Sequence, residues 1–338
     1  MRNDTRIKFN GFKKRIAQLN GVDDVSVSFT VEPSVSQKLE ERVQQSSEFL
    51  SKINVKSVDA QEGEKIGIGV SGTTASTTDT TSTERVPHDI SDLNKFRYRC
   101  EQTNYDTSIR YSKLDAWRHD PAFQTILRDA LNKQKAIDRI MIGFNGIKRA
   151  KTSDKTQNSL LQDVNKGWLQ HYREDAPKQV MKGGKIDGEI TIGENECDYK
   201  NLDALVFDAV ETLINPVFSE DTDLVVLCGR GMLHEKYFPI VNGADKNTEK
   251  VAGRLLLANK SLGELPAYRV PHFPKGTMLI TKFSNLSIYI QKGTARRQIV
   301  DNSKRDRIED YQSTNEAFVV ENYEAGCLIE NIKIKDKE

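Results

Sequence analysis

Alternating apolar and polar residues predict two β-strands that flank a strongly polar tip. Apolar side chains occupy every second position in both strands, at Ile66, Ile68 and Val70 and again at Phe96, Tyr98 and Cys100. The tip, residues 71–84, has ten Ser or Thr in fourteen residues and a single aliphatic side chain, Ala75. Each strand, at about 3.3 Å per residue over about 15 residues, would extend roughly 50 Å from its base. The pattern therefore predicts a long β-hairpin.

A long hairpin with a polar tip gains little stability from its own contacts. An isolated two-stranded hairpin is marginally stable in water, and a tip rich in Ser and Thr buries too little apolar surface to offset its ordering entropy. Contacts from neighbouring copies of the same chain would supply the missing stability. We therefore interpret residues 65–100 as an assembly element.

Helical spacing of apolar residues predicts a short basic amphipathic helix over residues 6–19. Its apolar positions are Phe9, Phe12, Ile16 and Leu19. The following Asn20-Gly21 is typical of a helix C-terminus. Two interpretations are open: a surface helix that packs on the protein's own core, or a detachable segment that contacts another protein.

The longest predicted helix begins at Asp120-Pro121, a cap residue followed by a proline suited to the first turn. Its apolar residues keep helical spacing as far as Phe144, over about 36 Å, and Gly143 and Gly146 mark the expected end. Other patterns predict further elements: a helix from Pro33, a helix over 202–213, a strand over 224–228, and C-terminal strands near 278–280, 286–290, 318–320 and 327–334. The mixture predicts an α+β fold.

The charge of the chain is nearly balanced, with 50 Lys or Arg against 49 Asp or Glu. This balance argues against a dedicated nucleic-acid-binding protein. Residues 1–29 are different, because they hold six basic and three acidic residues. The remaining residues then carry 44 basic and 46 acidic side chains, so loss of the segment would reverse the sign of the net charge.

Targeting signals and membrane spans are not predicted. Charges interrupt the apolar residues of the first twenty positions, and the longest purely apolar run is Leu224 to Cys228. The four cysteines, at positions 100, 197, 228 and 327, are widely spaced. This spacing favours reduced structural thiols, so we expect a soluble protein made in the cytoplasm.

Candidate catalytic and ligand-binding motifs are weak. Residues 67–72 match the GxGxxG pattern, but the Thr-rich run that follows cannot supply the helix N-terminus that binds pyrophosphate. The five histidines show no metal-ligand spacing, and no nucleophile elbow or phosphate loop is present. We expect no enzymatic activity, no cofactor and no metal site.

A cluster of basic residues, Arg296, Arg297, Lys304, Arg305 and Arg307, is interleaved with acidic ones. Two interpretations are open for this cluster. It is either a solvated surface whose charges pair within the chain or an intersubunit surface of repeated ion pairs.

The order of these elements resembles the major capsid proteins of tailed phages, with the fold named after phage HK-ninety-seven. The sequence resembles more closely the capsid proteins of P-two-like temperate phages. The matching motifs are TRIKFNGF (5–12), FTVEPSVSQKL (29–39), GEKIGIGVSGTTASTTDT (63–80), GFNGIKRAKTSD (143–154), LQDVNKGWLQHYR (161–173), KYFPIVN (236–242), LPAYRVPHFPKGTMLITKFSNLSIY (265–289) and AFVVENYEAGCLIENIKI (317–334). The resemblance covers essentially the whole chain.

This resemblance implies a domain organisation of five parts. They are a basic N-terminal segment (1–29) that maturation removes, an N-terminal arm (30–55), an extended hairpin loop (56–112), a peripheral domain with the long spine helix (113–197 and 291–338), and an α/β axial domain (198–290). The extended loop would lie over the adjacent subunit, and the axial domain would lie near the symmetry axes of the capsomer.

The resemblance also implies a function and partners. Copies would form hexamers and pentamers of an icosahedral phage head, assembled in the bacterial cytoplasm around a scaffold. A scaffold-linked protease, another gene product, would cut at Phe29-Thr30 or a neighbouring bond. A portal protein, decoration proteins and non-specifically held double-stranded DNA complete the expected partners, without Lys–Asn cross-links. Alternatives are a nucleic-acid-binding structural protein, another virion component or a nucleotide-dependent enzyme.

Overall fold

The structure is a computed structural model in which helices and strands alternate irregularly along the chain. The described residues are 1–64, 68–70, 75, 77–85, 91–93, 97–116, 123–193, 196–233 and 260–335. Their α-helices are α1 (Asn3–Asn20), α2 (Pro33–Gln45), α3 (Glu48–Lys52), α4 (Tyr111–Ala116), α5 (Phe123–Asn145), α6 (Trp168–Asp175), α7 (Leu202–Leu213) and α8 (Pro216–Ser219). The mixture confirms the predicted α+β class.

The β-strands of the described residues fall into two large sheets and three two-stranded ladders. They are β1 (Phe29–Thr30), β2 (Asn54–Val58), β3 (Glu62–Glu64), β4 (Ile68–Val70), β5 (Ser91–Leu93), β6 (Arg97–Arg99), β7 (Glu101–Asn104), β8 (Thr107–Arg110), β9 (Val180–Met181), β10 (Ile190–Ile192), β11 (Val225–Cys228), β12 (Ser261–Leu262), β13 (Leu265–Arg269), β14 (Met278–Thr281), β15 (Leu286–Gln291), β16 (Arg296–Asn302), β17 (Arg307–Val320), β18 (Gly326–Ile329) and β19 (Ile332–Ile334).

The seven-stranded sheet is built around the long strand β17. Its main path runs β1-β16-β17-β15-β2, and β7 and β8 also pair with β17. Strand β2 lies parallel to β15, with Asn54 aligned with Ser287. The N-terminal arm therefore supplies the strands at both ends of the main path, and the root of the hairpin joins the same sheet.

The six-stranded sheet has the order β12-β13-β11-β14-β18-β9, with β11 and β13 parallel. All residues of β11 and β14 are buried. Helix α7 packs on this sheet, since Leu205 and Ala209 share an apolar cluster with Val226 and Ile280. The helix and strand predicted over 202–213 and 224–228 are therefore confirmed, apart from small shifts at their ends.

An aromatic cluster fills the core beside the spine helix α5. Trp168 is fully buried and contacts Phe144 and Phe318, with ring centroids 5.0 and 5.4 Å away. Its indole Nε1 donates a 3.1 Å hydrogen bond to the carbonyl of Ser287. A Cβ on Gly143 would lie 2.2 Å from the Trp168 ring, so this glycine serves close packing inside the helix. The helix ends at Asn145, so Gly146 follows directly after the last helical residue as predicted, whereas Gly143 lies inside the helix.

The basic cluster near 296–307 lies largely in β16 and β17, which form one antiparallel ladder. Two predicted strands need correction. Strand β17 starts at Arg307, far before the strand predicted at 318–320. The strand predicted over 327–334 is two strands, because Asn331 adopts a left-handed φ of 60° between them.

Candidate functional site

The hairpin is held together by two antiparallel ladders that share one register. Strand β3 pairs with β6, with Glu62 aligned with Arg99, and β4 pairs with β5, with Ile68 aligned with Leu93. The second arm therefore starts at Ser91, earlier than the alternation indicated. Ile66 and Phe96 lie outside the described residues, while Ile68 and Val70 are described only by their backbone in β4.

The root of the hairpin is anchored on the seven-stranded sheet. The Tyr98 ring meets the Tyr289 ring edge-on, with centroids 5.0 Å apart. Buried Cys100 belongs to the same apolar cluster as Tyr289 and Val319. One residue pair farther out, the Arg97–Glu64 ion pair has side chains 68% and 62% exposed. Apolar burial by the subunit itself therefore supports the root of the hairpin, and the charged side chains farther out face solvent.

The polar tip contains a local turn centred on Asp79. Its carboxylate accepts hydrogen bonds from the Thr81 backbone N–H at 3.0 Å and from the Thr81 hydroxyl at 2.5 Å. These bonds, the hydroxyl bond first, lower the pKa of Asp79 below its usual value. All described residues between 75 and 85 are exposed or half-exposed. The tip therefore has local order without burial.

Helix α1 packs on the protein's own sheet through part of its apolar stripe. Phe9 and Ile16 are buried in a cluster with Tyr111 and Ile299, and Phe12 is half-buried beside it. Leu19, the fourth predicted position, is 54% exposed. The first interpretation of this helix, a surface helix on the core, therefore describes its position in the subunit.

A polar contact also ties α1 to the sheet. The Arg6 guanidinium pairs with the Asp301 carboxylate, which also accepts a hydrogen bond from the Tyr111 hydroxyl. Gly21 ends the helix with a left-handed φ of 63°. The chain then reaches β1, in which Phe29 is aligned with Arg297 and Thr30 with Arg296. The predicted cleavage bond thus lies in an edge strand, with the Phe29 side chain buried.

A buried charge network joins four parts of the subunit. On α5, Arg139 is 1% exposed, and its Nη2 lies 2.6 Å from Oε1 of Glu316, which is fully buried in β17. Its Nη1 lies 2.5 Å from Oε2 of Glu40 on α2, which also pairs with Lys135 at 3.0 Å. The Tyr105 hydroxyl, between β7 and β8, donates to Glu316 at 3.0 Å. We call these five residues the Arg139 junction.

The ionisation of the Arg139 junction follows from its burial and mutual charge. Burial alone would raise the pKa of Glu40, but Arg139 and Lys135 outweigh it and lower this pKa to about 2. Burial would lower the pKa of Arg139, whereas Glu316 and Glu40 hold it well above its usual value. Burial, with Glu316, raises the pKa of Tyr105. Glu40 and Arg139 are therefore both charged at neutral pH, and the junction fastens the N-terminal arm and the hairpin root to the spine helix.

Sequence reasoning missed the Arg139 junction. Arg139 lies between the apolar positions Ala136 and Ile140 on α5, and a basic residue so close to an apolar stripe was the available signal. Its carboxylate partners lie 99 and 177 positions away, so no local pattern identifies them.

The basic cluster near Arg296 has charge partners within the chain. Arg297 makes two hydrogen bonds to Asp310 on the neighbouring strand, at 3.0 and 2.7 Å. Arg307 pairs with Glu309 at 2.6 Å. The interpretation as a solvated, internally paired surface therefore accounts for these two arginines.

The candidate chemical motifs find no site in the described part of the chain. Gly69, in the middle of the GxGxxG match, lies in hairpin strand β4 and is aligned with Asp92. The described residues contain no group of three or more His, Cys, Asp or Glu placed to bind a metal ion. Burial raises the pKa of the Cys100 and Cys228 thiols to about 12. Within the described ranges, no helix has the length and apolar character needed to cross a bilayer.

Comparison with known proteins gives consistent matches over nearly the whole chain. The family model described as "Phage major capsid protein, P2 family" matches residues 8–332. The capsid protein of Escherichia phage P2 is 51% identical over 344 residues, covering 99% of this chain and 96% of that protein. The major capsid protein of Serratia phage KSP20 is 39% identical over 351 residues, covering 100% and 99% of the two chains.

Among solved structures, a chain of the procapsid of satellite phage P4, determined with its size determination (Sid) protein, is similar throughout. The TM-score is 0.83 at 48% sequence identity, and the match covers 99% of both chains. The fold therefore matches that of a phage procapsid chain over nearly the whole length of both chains.

Proposed function

Because the chain belongs to the P2 family of phage major capsid proteins, which build the head shell of tailed phages, we propose how its elements serve that shell. Copies form hexamers and pentamers, and the hairpin of each copy lies across its neighbour. The observation that carries this proposal is the contrast within the hairpin, which is anchored at Tyr98 and exposed at Arg97 and Glu64. A neighbouring copy would bury what the subunit leaves in solvent.

The N-terminal segment 1–29 serves assembly and is then removed. Part of the apolar stripe of α1 packs on the sheet, but Leu19 on the same stripe is 54% exposed. The exposed part is available for a contact with a scaffold protein. A scaffold-linked protease cuts at Phe29-Thr30. Because β1 pairs with β16, this bond becomes accessible only when the edge strand separates. Cleavage should therefore depend on a change in the subunit that frees β1.

Removal of the segment changes the charge that faces the packaged DNA. Residues 1–29 carry a net charge of +3, and the rest of the chain carries −2. Because Lys and Arg contacts to phosphates dominate adhesion to DNA, a shell without the segment would hold double-stranded DNA only weakly. An uncleaved variant that packages and releases DNA normally would contradict this charge argument.

We propose the same five-part organisation for the assembled subunit, with 113–197 and 291–338 as peripheral and 198–290 as axial. One observation refines it. Strands β9 and β18, from the peripheral segments, join β14 in the six-stranded sheet. The two domains would then share this sheet rather than separate at a linker. A portal protein, decoration proteins and assembly in the host cytoplasm complete the proposal.

Electron microscopy of the purified full chain, with and without residues 1–29, tests the proposal. Closed shells or curved sheets with hexameric and pentameric units would support it. A difference between the two forms would assign α1 to the control of assembly. A monodisperse monomer or small oligomer at all concentrations, even with a scaffold protein supplied, would overturn it. Mass spectrometry of shell subunits matured with the protease should find Thr30 as the new N-terminus.

A further inference from the structure

The surface formed by α7 and α8 is strongly acidic. Residues 201–229 contain six Asp or Glu and no Lys, Arg or His. Three of the six are neutralised or engaged locally. Asp221 pairs with Lys282, Asp208 accepts a hydrogen bond from the Tyr199 hydroxyl, and Asp203 accepts one from the Gly263 backbone N–H. Glu211 and Glu220 are exposed and form no ion pair with any described residue. We call the exposed part of α7 and α8 the acidic face.

Apolar side chains also lie on the acidic face. Phe207 is 60% exposed on α7, one helical turn before Glu211, and Val217 is 55% exposed at α8. Single exposed apolar residues are ordinary. A phenyl ring one turn from the exposed Glu211 carboxylate is different, because aromatic residues surrounded by polar ones are typical of the cores of protein interfaces.

The segment directly after the spine helix α5 in the sequence carries the opposite charge. Residues 147–155 contain Lys148, Arg149, Lys151 and Lys155 against one acidic residue, Asp154. These four cations are exposed, and none forms an ion pair within the described ranges. Ile147, at the start of the segment, is 47% exposed. We call residues 147–155 the basic loop.

Hydrogen bonds to the rest of the subunit fix the position of the basic loop. The Ile147 backbone N–H donates to the carbonyl of Gln162 at 2.8 Å, and the Ala150 N–H donates to the carbonyl of Asp163 at 2.9 Å. The Arg149 Nη1 donates to the carbonyl of Val164 at 2.9 Å. A fixed loop presents its charges without a further ordering cost, which favours specific binding.

A cavity adjoins the basic loop and makes this part of the surface concave. It has a volume of about 250 Å³ and lies between the hairpin root and the seven-stranded sheet, where Arg149, Tyr98 and His171 are among its lining residues. The cavity therefore offers a side chain of a docked partner a place beside Arg149.

We infer that the acidic face of one copy docks on the basic loop of a neighbouring copy. Among the described residues, no hydrogen bond or ion pair joins the two surfaces within one chain. The two surfaces have opposite charge, and each also has an exposed apolar residue. These properties favour a partner that carries both surfaces in equal number. A second copy of this chain is that partner, and two different surfaces form the heterologous contact that generates rings.

This inference rests on the proposed capsomers and names a contact between their subunits. Double-stranded DNA is a weaker occupant of the basic loop. Phosphates would pair with the lysines but leave Ile147 exposed, and they would not account for the exposed Glu211 and Phe207 of the acidic face. The acidic face and the basic loop are therefore best explained together.

Charge reversal in the full chain tests the contact. Glu211→Lys and Lys151→Glu should each lower the yield of shells, measured by sedimentation and electron microscopy, at least tenfold. The double variant should restore the yield to within about twofold of wild type, because the attraction is restored with reversed signs. Phe207→Ser should lower the yield without changing the melting temperature of the unassembled subunit.

Matched controls separate this contact from general effects of charge. Glu48→Lys and Lys178→Glu reverse exposed charges elsewhere and should assemble like wild type. A double variant no better than the worse single variant would overturn the inference while leaving the proposed function intact. Wild-type protein that never forms shells would instead overturn the proposed function. Normal assembly of Lys151→Glu with a loss of DNA retention would also overturn the inference, since the loop would then bind DNA.

Discussion

The Arg139 junction and the hairpin are stabilised in opposite ways. In the junction, Arg139 and Glu316 pair with side chains 1% and 0% exposed, and every partner belongs to the same subunit. In the hairpin, the Arg97–Glu64 pair is largely in solvent, and backbone ladders carry the structure. A shell subunit has to persist alone and yet gain stability from neighbours. In the proposed function, the Arg139 junction stabilises the lone subunit, and the hairpin gains its remaining stability from a neighbouring copy.

The largest effect on the stability of the unassembled subunit is expected in the Arg139 junction. Arg139→Met should destabilise the unassembled subunit by about 3–5 kcal/mol, because it leaves the buried Glu316 carboxylate without its cation. Urea unfolding measures this change. Adding Glu316→Gln should recover part of the loss, since the uncompensated charge is then removed.

The matched control for this prediction is an exposed arginine on the same helix. Among the described residues, Arg128 pairs with its neighbour Asp129 at the surface. Arg128→Met should therefore change the free energy of unfolding by no more than about 0.5 kcal/mol. If the two substitutions have equal effects, the junction does not stabilise the subunit as described.

The second largest effect is expected from acid, which should weaken the Arg139 junction. The folded pKa of Glu40 is about 2, below its ordinary value of 4.5, so its stabilisation is complete above that ordinary value. It is lost as the pH falls through about 2, and its full size is roughly 3 kcal/mol. Urea unfolding of wild type and Glu40→Gln at several pH values checks this. The gap between the two proteins should shrink below pH 4.5; a gap independent of pH would contradict the assignment.

A smaller loss is expected at the hairpin root. Tyr98→Ala removes the edge-on contact with Tyr289 and should destabilise the free subunit by about 1–2 kcal/mol. Tyr98→Phe keeps the ring and is the control. Thermal unfolding of both variants separates packing from the hydroxyl. Equal losses in the two variants would show that the ring contact is not the source of stability.

The smallest effect on the free subunit belongs to the tip. Asp79→Ala removes only bonds to Thr81 and should leave the midpoint of urea unfolding indistinguishable from that of wild type. Limited proteolysis should nevertheless cut free subunits within residues 77–85 and leave assembled shells intact there. Equal cutting of free and assembled protein would mean that no neighbour covers the tip.

Sequence reasoning succeeded where structure follows from local periodicity. Helix α1, the hairpin and α7 each have a regular apolar repeat, and Gly21 supplies the expected end of α1. These features depend on residues only a few positions apart. The amino-acid sequence alone therefore predicts these elements.

Strands β16 and β17 escaped prediction because their charges pair across the sheet. Arg297 and Asp310 occupy neighbouring strands and neutralise each other, so the sequence shows mixed charge where the structure has a ladder. The Arg139 junction escaped for a related reason, since its partners are distant in sequence. Tertiary pairing of charged residues overrides the rule that strands alternate between apolar and polar.

The parallel pairing of β2 with β15 has a consequence for the timing of biosynthesis. Asn54 and Ser287, which share a hydrogen bond, are 233 positions apart. At 5–20 residues per second, a ribosome needs roughly 10 to 50 seconds to make the intervening chain. Throughout that interval β2 cannot pair with β15, and β1 likewise cannot pair with β16. Residues 54–58 therefore enter the sheet only after residues 286–291 have been made, and nascent chains halted at residue 285 should remain sensitive to protease within residues 54–58.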